Sequence, residues 1–119
     1  MQTNQEIERK FTFLTERGFV FERDYSKGTD STCTLIYRFR KDGANYLEFR
    51  VLTERERNTV VCVDGQKKFP SLPKKYAAFI RKWKLQRLFQ KSRKDVWQLN
   101  ADVCREEIAR TGTLFGIKL

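Results

Sequence analysis

The apolar positions of the chain first recur at helical spacing. Ile7, Phe11 and Leu14 share one face behind Thr3 and Glu6, which stand at capping-box separation, and Gly18 supplies a stop. This predicts an amphipathic helix of about four turns, with Phe19 folding back onto its last turn. From Phe19 the period changes to two. Phe19, Phe21 and Tyr25 alternate with Val20, Glu22 and Asp24, which predicts a strand, and the segment from Ser26 to Asp30 has turn chemistry. Cys33, Leu35, Tyr37 and Phe39 then alternate with Thr32, Thr34, Arg38 and Arg40, so a second strand follows. Asp42-Gly43 marks a hairpin, after which Leu47, Phe49 and Val51 oppose Tyr46, Glu48 and Arg50 on a third strand.

A charged connection, Thr53 to Asn58, leads into the β-branched run Thr59-Val60-Val61-Cys62-Val63, whose continuity predicts a fourth strand that is central or buried on both faces. Asp64-Gly65 is a second hairpin signal, and Gln66 to Phe69 forms a short fifth strand whose Lys67 and Lys68 discourage further edge pairing. Pro70-Ser71-Leu72-Pro73 ends the sheet and begins a second helix, with Ser71 as cap. In it Tyr76, Phe79, Ile80 and Trp83 form a core stripe at i, i+3, i+4 and i+7. Leu85 and Phe89 lie on the opposite side if the helix runs on, next to Lys74, Arg81 and Lys82. Either it ends or bends near Lys84, or two apolar residues stand within a basic face. A third helix is expected from Asn100 as cap to Arg110, with Ala101, Cys104 and Ile108 inward and Gly112 as stop. Val96 to Leu99 is open between helix, loop and strand, and the tail from Leu114 to Leu119 is apolar enough to dock. The expected architecture is α+β in a single compact domain, 1–119: an N-terminal helix, an antiparallel meander of four or five strands, and two C-terminal helices packed on one sheet face.

Charge alters this picture at one place. Between 73 and 94 stand nine cations, Lys74, Lys75, Arg81, Lys82, Lys84, Arg87, Lys91, Arg93 and Lys94, and no Asp or Glu. The whole chain has 25 basic and 15 acidic residues, so without these nine the balance would be 16 to 15, and nearly all of the +10 net charge belongs to one element. Cations concentrated among Tyr76, Phe79, Trp83 and Phe89 point to a polyanion surface. Phosphate contacts position a nucleic acid without reading its sequence, so the expectation is nucleic-acid backbone bound with weak sequence preference through Lys74, Lys75, Arg81, Lys82, Lys84, Arg87, Lys91 and Arg93. The alternative is a protein-interaction module for an acidic partner, with Leu85 and Phe89 as apolar centre and lysines as rim, or a homodimer through the same patch. The bland reading is the ordinary solvated face of a surface helix. Membrane attachment is disfavoured, because the core claims the apolar stripe.

Catalytic signals are few. The chain has no histidine, which removes the commonest general base and the usual partner of a Ser or Cys nucleophile. The carboxylate pairs Glu6/Glu8, Glu54/Glu56 and Glu106/Glu107 are read as solvated charges. Cys33, Cys62 and Cys104 are widely spaced, form no CxxC pair, and are expected to be reduced and mostly buried. The expectation is therefore a non-enzymatic protein with no cofactor and no metal. With a polar N-terminus and no apolar run of about 18 residues, it is expected to be cytoplasmic. Of the strand aromatics Tyr37, Phe39, Tyr46 and Phe49, which could stack bases, three alternate as a buried face does, and Tyr46 is expected to be exposed.

Lys74-Lys75-Tyr76-Ala77-Ala78, after a helix and a strand meander, resembles the Lys-Lys-x-Ala start of the second helix of the double-stranded-RNA-binding domain. The likeness covers five residues and an element order. The chain lacks a Gly-Pro-x-His in its first hairpin region, adds a fourth strand, and has Pro73 where that family has a glycine-rich approach, so membership is not assigned. The helix-then-meander order is also similar to that of small immunity and antitoxin proteins, in architecture and not in motif.

Overall fold

The computed structural model describes residues 4–27, 33–51, 57–90 and 95–119. The chain is α+β and divides into two compact units, Met1–Phe13 with Ser71–Leu119, and Leu14–Pro70.

The second of these holds the meander. Strands β1 (Val20–Lys27), β2 (Cys33–Asp42), β3 (Asn45–Val51), β4 (Arg57–Val63) and β5 (Gln66–Lys68) lie in sequence order, each antiparallel to the last. The period-two pattern sets the register. Phe21, Phe39, Leu47 and Val61 stand opposite one another across four strands, and Tyr37 and Phe49 follow on the same face. Tyr37, Phe39, Leu47, Phe49 and Val61 are all buried, and Phe21 rests its ring on Phe39 at 5.1 Å. Strand β4 is buried on both faces, through Val60 and Cys62 on one side and Val61 on the other. Asp64 (φ 51°) and Gly65 (φ 84°) are both left-handed, the geometry an Asp-Gly hairpin requires.

On the opposite face Glu22, Arg38 and Glu48 are direct partners across β1, β2 and β3. Arg38 donates to Glu48 at 2.7 Å and to Glu22 at 3.2 Å, Arg40 also pairs with Glu22, and Arg50 completes the set on Glu48 at 3.2 Å. The Arg40 hydrogen bond holds the Glu22 carboxyl below its ordinary range. Tyr46 is half-buried on this face beneath the Arg38 guanidinium. Burial and a hydrogen bond with Cys62 push its phenol up. Alternating charges across three strands favour this register, since a slip would put each partner on the wrong face.

The other unit contains helix α1 (Asn4–Lys10) and, from the C-terminal half, α3 (Leu72–Lys75), α4 (Ala77–Gln86) and α5 (Val96–Thr111). The first expected helix is interrupted at Phe11, whose N–H bonds three residues back to Glu8, and resumes as the short α2 (Thr12–Thr15). Its Thr3 cap lies outside the described residues. Gly18 (φ 92°) terminates it, and Phe19 turns back to donate to the Leu14 carbonyl. Helix α5 begins earlier than Asn100. Asp95 is the cap, its carboxylate accepting the Gln98 N–H at 3.0 Å, so the ambiguous Val96–Leu99 is helical. Gly112 (φ 75°) ends it, and the tail forms a hairpin of β6 (Thr113–Leu114) and β7 (Ile117–Lys118) that buries Leu114 and Ile117.

Two carboxylates of α5 fix the helices before it. Glu107 is buried, accepting from Lys75 at 2.6 Å and from the Tyr76 hydroxyl at 2.9 Å. Asp102 accepts from the buried Trp83 indole at 2.7 Å. The expectation that Glu107 is solvated is thus corrected. It stands four residues from Val103 and three from Cys104, both buried, so helical periodicity carries it inward.

Two outcomes follow from these contacts. Trp83→Ala removes a buried ring and one of the hydrogen bonds to Asp102, and should cost about 3 to 5 kcal/mol in chemical denaturation. The native Trp emission should be blue-shifted, and an unchanged denaturation midpoint would refute the assignment. Burial and the Glu107 hydrogen bond push the Tyr76 phenol from 10.0 up to about 12. Because the folded value is raised, its stabilising share is complete below the ordinary phenol value and is lost as pH rises through the folded one. Tyr76→Phe should therefore remove the latest phenolate signal in an alkaline absorbance titration and flatten the fall in stability between about pH 10 and 12. An identical slope in the variant would contradict this.

Candidate polyanion-binding site

The basic segment is not one helix from 73 to 94. Tyr76 (φ −118°, ψ 30°) separates α3 from α4, and α4 ends at Gln86. Pro73 provides the first-turn geometry of α3, and Ser71 caps it without a side-chain hydrogen bond. Past Gln86 the backbone tightens, with Arg87 N–H bonding to Lys84 and Leu88 N–H to Leu85, both at 3.3 Å. At this end stands Arg87. Its guanidinium sits 4.2 Å from the centre of the Trp83 ring and 3.5 Å from Asp102, on the side where α4 meets α5.

The predicted cations therefore separate. Lys75 is spent on Glu107, and its ammonium also lies 5.2 Å from the centre of the Phe115 ring. Arg87 is spent on Asp102 and Trp83. Lys91 and Arg93 lie outside the described residues. Lys74, Arg81, Lys82 and Lys84 are exposed, and among the described residues none of the four has a carboxylate partner. The inward stripe is as expected, with Tyr76 and Trp83 buried and Phe79 and Ile80 half-buried. It consumes one side of α4, so the remaining cations face water.

Both apolar residues singled out from the sequence are on the surface. Leu85 is 64% exposed and Phe89 97%, and they are joined by Leu88 at 46% and by Val96 of α5 at 38%. The sequence reading missed Leu88 and Val96. Leu88 continues the spacing Arg81, Lys84, Leu85, Leu88 at i, i+3, i+4 and i+7, a periodicity visible in the chain, but only the observed start of α5 brings Val96 alongside. A groove of about 570 Å³ runs between α4 and α5, lined by Arg81, Lys84, Leu85, Leu88, Asp95, Val96 and Leu99. Asp95, the carboxylate on its lining, pairs with Lys10 at 3.0 Å and caps α5, so it does little to offset the cations.

Other chemistry is limited. Cys62 and Cys104 are free and buried, and burial pushes the Cys104 thiol up, away from thiolate reactivity. Among the described residues no three His, Cys, Asp or Glu side chains gather as a metal site, and no helix is long and apolar enough to cross a membrane. Comparison with protein-family models, with curated proteins and with solved structures finds no match to this chain.

Proposed function

We propose that this chain is a non-enzymatic interaction module that binds an acidic protein through the surface around α4. One observation carries the reading: Arg81 and Lys84, without carboxylate partners among the described residues, line a groove together with the exposed apolar side chains Leu85, Leu88 and Val96, and Phe89 is exposed on the same segment. A monomer gains nothing by leaving such a cluster in water, and a partner that brings both carboxylates and apolar side chains satisfies both halves of it. A phosphate backbone satisfies only the charged half. The sizes support this order. Burying a Leu or Val side chain completely is worth about 1.5 to 3 kcal/mol, so three that are partly exposed offer roughly 2 to 4 kcal/mol together. A base stacked on Phe89 offers about 1 to 3. A cytoplasmic setting belongs to the same proposal, supported by the free, buried Cys62 and Cys104.

Nucleic-acid backbone is the second reading, favoured by the nearly complete exposure of the Phe89 ring on the segment that carries the cations. It predicts binding with weak sequence preference and a log–log salt slope of roughly −3, from about 0.7 to 0.9 per phosphate and the four outward cations.

The two readings separate in one set of titrations against polyglutamate, a random glutamate–leucine copolymer and a single-stranded DNA oligonucleotide. The acidic-partner reading expects the copolymer to bind more tightly than polyglutamate and the oligonucleotide to be weakest. Leu85→Ser with Phe89→Ser should abolish the copolymer's advantage while leaving the melting temperature within about 2 °C of the parent, as expected for exposed positions. An oligonucleotide that binds tightest, with the steep salt slope and no response to the serine pair, would replace this reading with the second.

A further inference from the structure

The apolar residues at the end of α4 line a concavity. Arg81, Lys84 and Leu85 of α4, with Leu88 just past its end, make one wall, and Val96 and Leu99, three residues apart on the first turn of α5, contribute to the other. The two helices are pinned to each other where Trp83 and Arg87 both reach Asp102, so the groove is built on a fixed pair. Two helical walls with this spacing accept the ridge of a third helix.

We infer that the groove between α4 and α5 is the docking site for an acidic amphipathic helix of a partner protein. The apolar edge of that helix buries Leu85, Leu88, Val96 and Leu99, and its flanking carboxylates pair with Arg81 and Lys84. This rests on the acidic-partner reading above and narrows the partner to one shape. Charge complementarity selects the occupant. Arg81 and Lys84 stand on the groove with no carboxylate partner among the described residues, while Asp95 is already engaged by Lys10 and by the start of α5. A second copy of the chain is a poor occupant, because each brings a net charge of +10 to the contact. A membrane is a poor one as well, since an interfacial helix presents its apolar residues on a convex face and these line a hollow. Nucleic acid gains nothing from aliphatic walls.

The test is selection of a random-peptide display library against the full chain. The selected peptides are then measured against variants, with polyglutamate and a DNA oligonucleotide as controls. The expected peptides carry apolar residues at i, i+3 or i+4, and i+7 among Asp and Glu, and gain helical circular dichroism on binding. Their affinity should fall at least about tenfold for Leu85→Ser with Leu88→Ser, and likewise for Arg81→Gln with Lys84→Gln. Leu85→Glu alone, at the more exposed position, should do the same by setting carboxylate against carboxylate, and it serves if the serine pair perturbs folding. Acidic peptides that lack helical spacing, or that bind the serine pair and Leu85→Glu undiminished while responding to the Gln variants, would overturn the groove and leave the acidic-partner reading standing. No enrichment of acidic peptides, with binding of the oligonucleotide alone, would overturn both.

Discussion

The two carboxylates of α5 decide what the basic segment becomes. Asp102 and Glu107 reach from one helix to Trp83 on α4 and Arg87 just past its end, and to Lys75 and Tyr76 at the junction of α3 and α4. A buried carboxylate is tolerated only when paired and hydrogen-bonded, and Glu107 is both. Removing either acid would leave buried polar groups without partners, a larger loss than the pair's own net worth. The pairing also sorts the cations. Those facing α5 are neutralised as structure, and Lys74, Arg81, Lys82 and Lys84 stay exposed to water.

This sorting is why the surface around α4 combines charge with apolar area. The inward side of α4 is occupied by Tyr76, Phe79, Ile80 and Trp83, so every further apolar residue of the segment must look outward or find a wall of its own. Leu85 and Leu88 find a partial one in Val96 and Leu99. Arg81 and Lys84 interleave with them at helical spacing, so any partner covering the leucines meets the two cations. The sheet handles charge differently. Its Glu22, Arg38, Glu48, Arg40 and Arg50 alternate in sign across neighbouring strands and largely cancel, leaving little net field there.

Patterning alone determined the sheet. The two-residue period from Phe19 to Val51, the Asp42-Gly43 and Asp64-Gly65 turns and the β-branched run at Val60 are local signals, and strands joined by short hairpins leave little choice of topology. Gly18 and Gly112 marked helix ends for a similarly local reason, since the left-handed conformation there favours glycine. The concentration of cations after Pro73 was equally plain in the composition, and so was the oddity of Leu85 and Phe89.

Only tertiary structure decided the rest, because it depended on partners distant in the chain. Lys74 and Lys75 are adjacent in sequence and indistinguishable by composition, yet Glu107 neutralises one and leaves the other. The contacts of Arg87, just past the end of α4, with Asp102 and the Trp83 ring depend on how α4 meets α5, which propensity does not record. The start of α5 was obscured because Asp95 and Asn100 are both good caps, and the buried Trp97 of its first turn, whose ring meets Phe11 edge-on, favours the earlier start. That earlier start is also what sets Val96 beside Leu85. The groove therefore existed in the sequence only as four scattered apolar residues, and packing two helices against each other turned them into a surface.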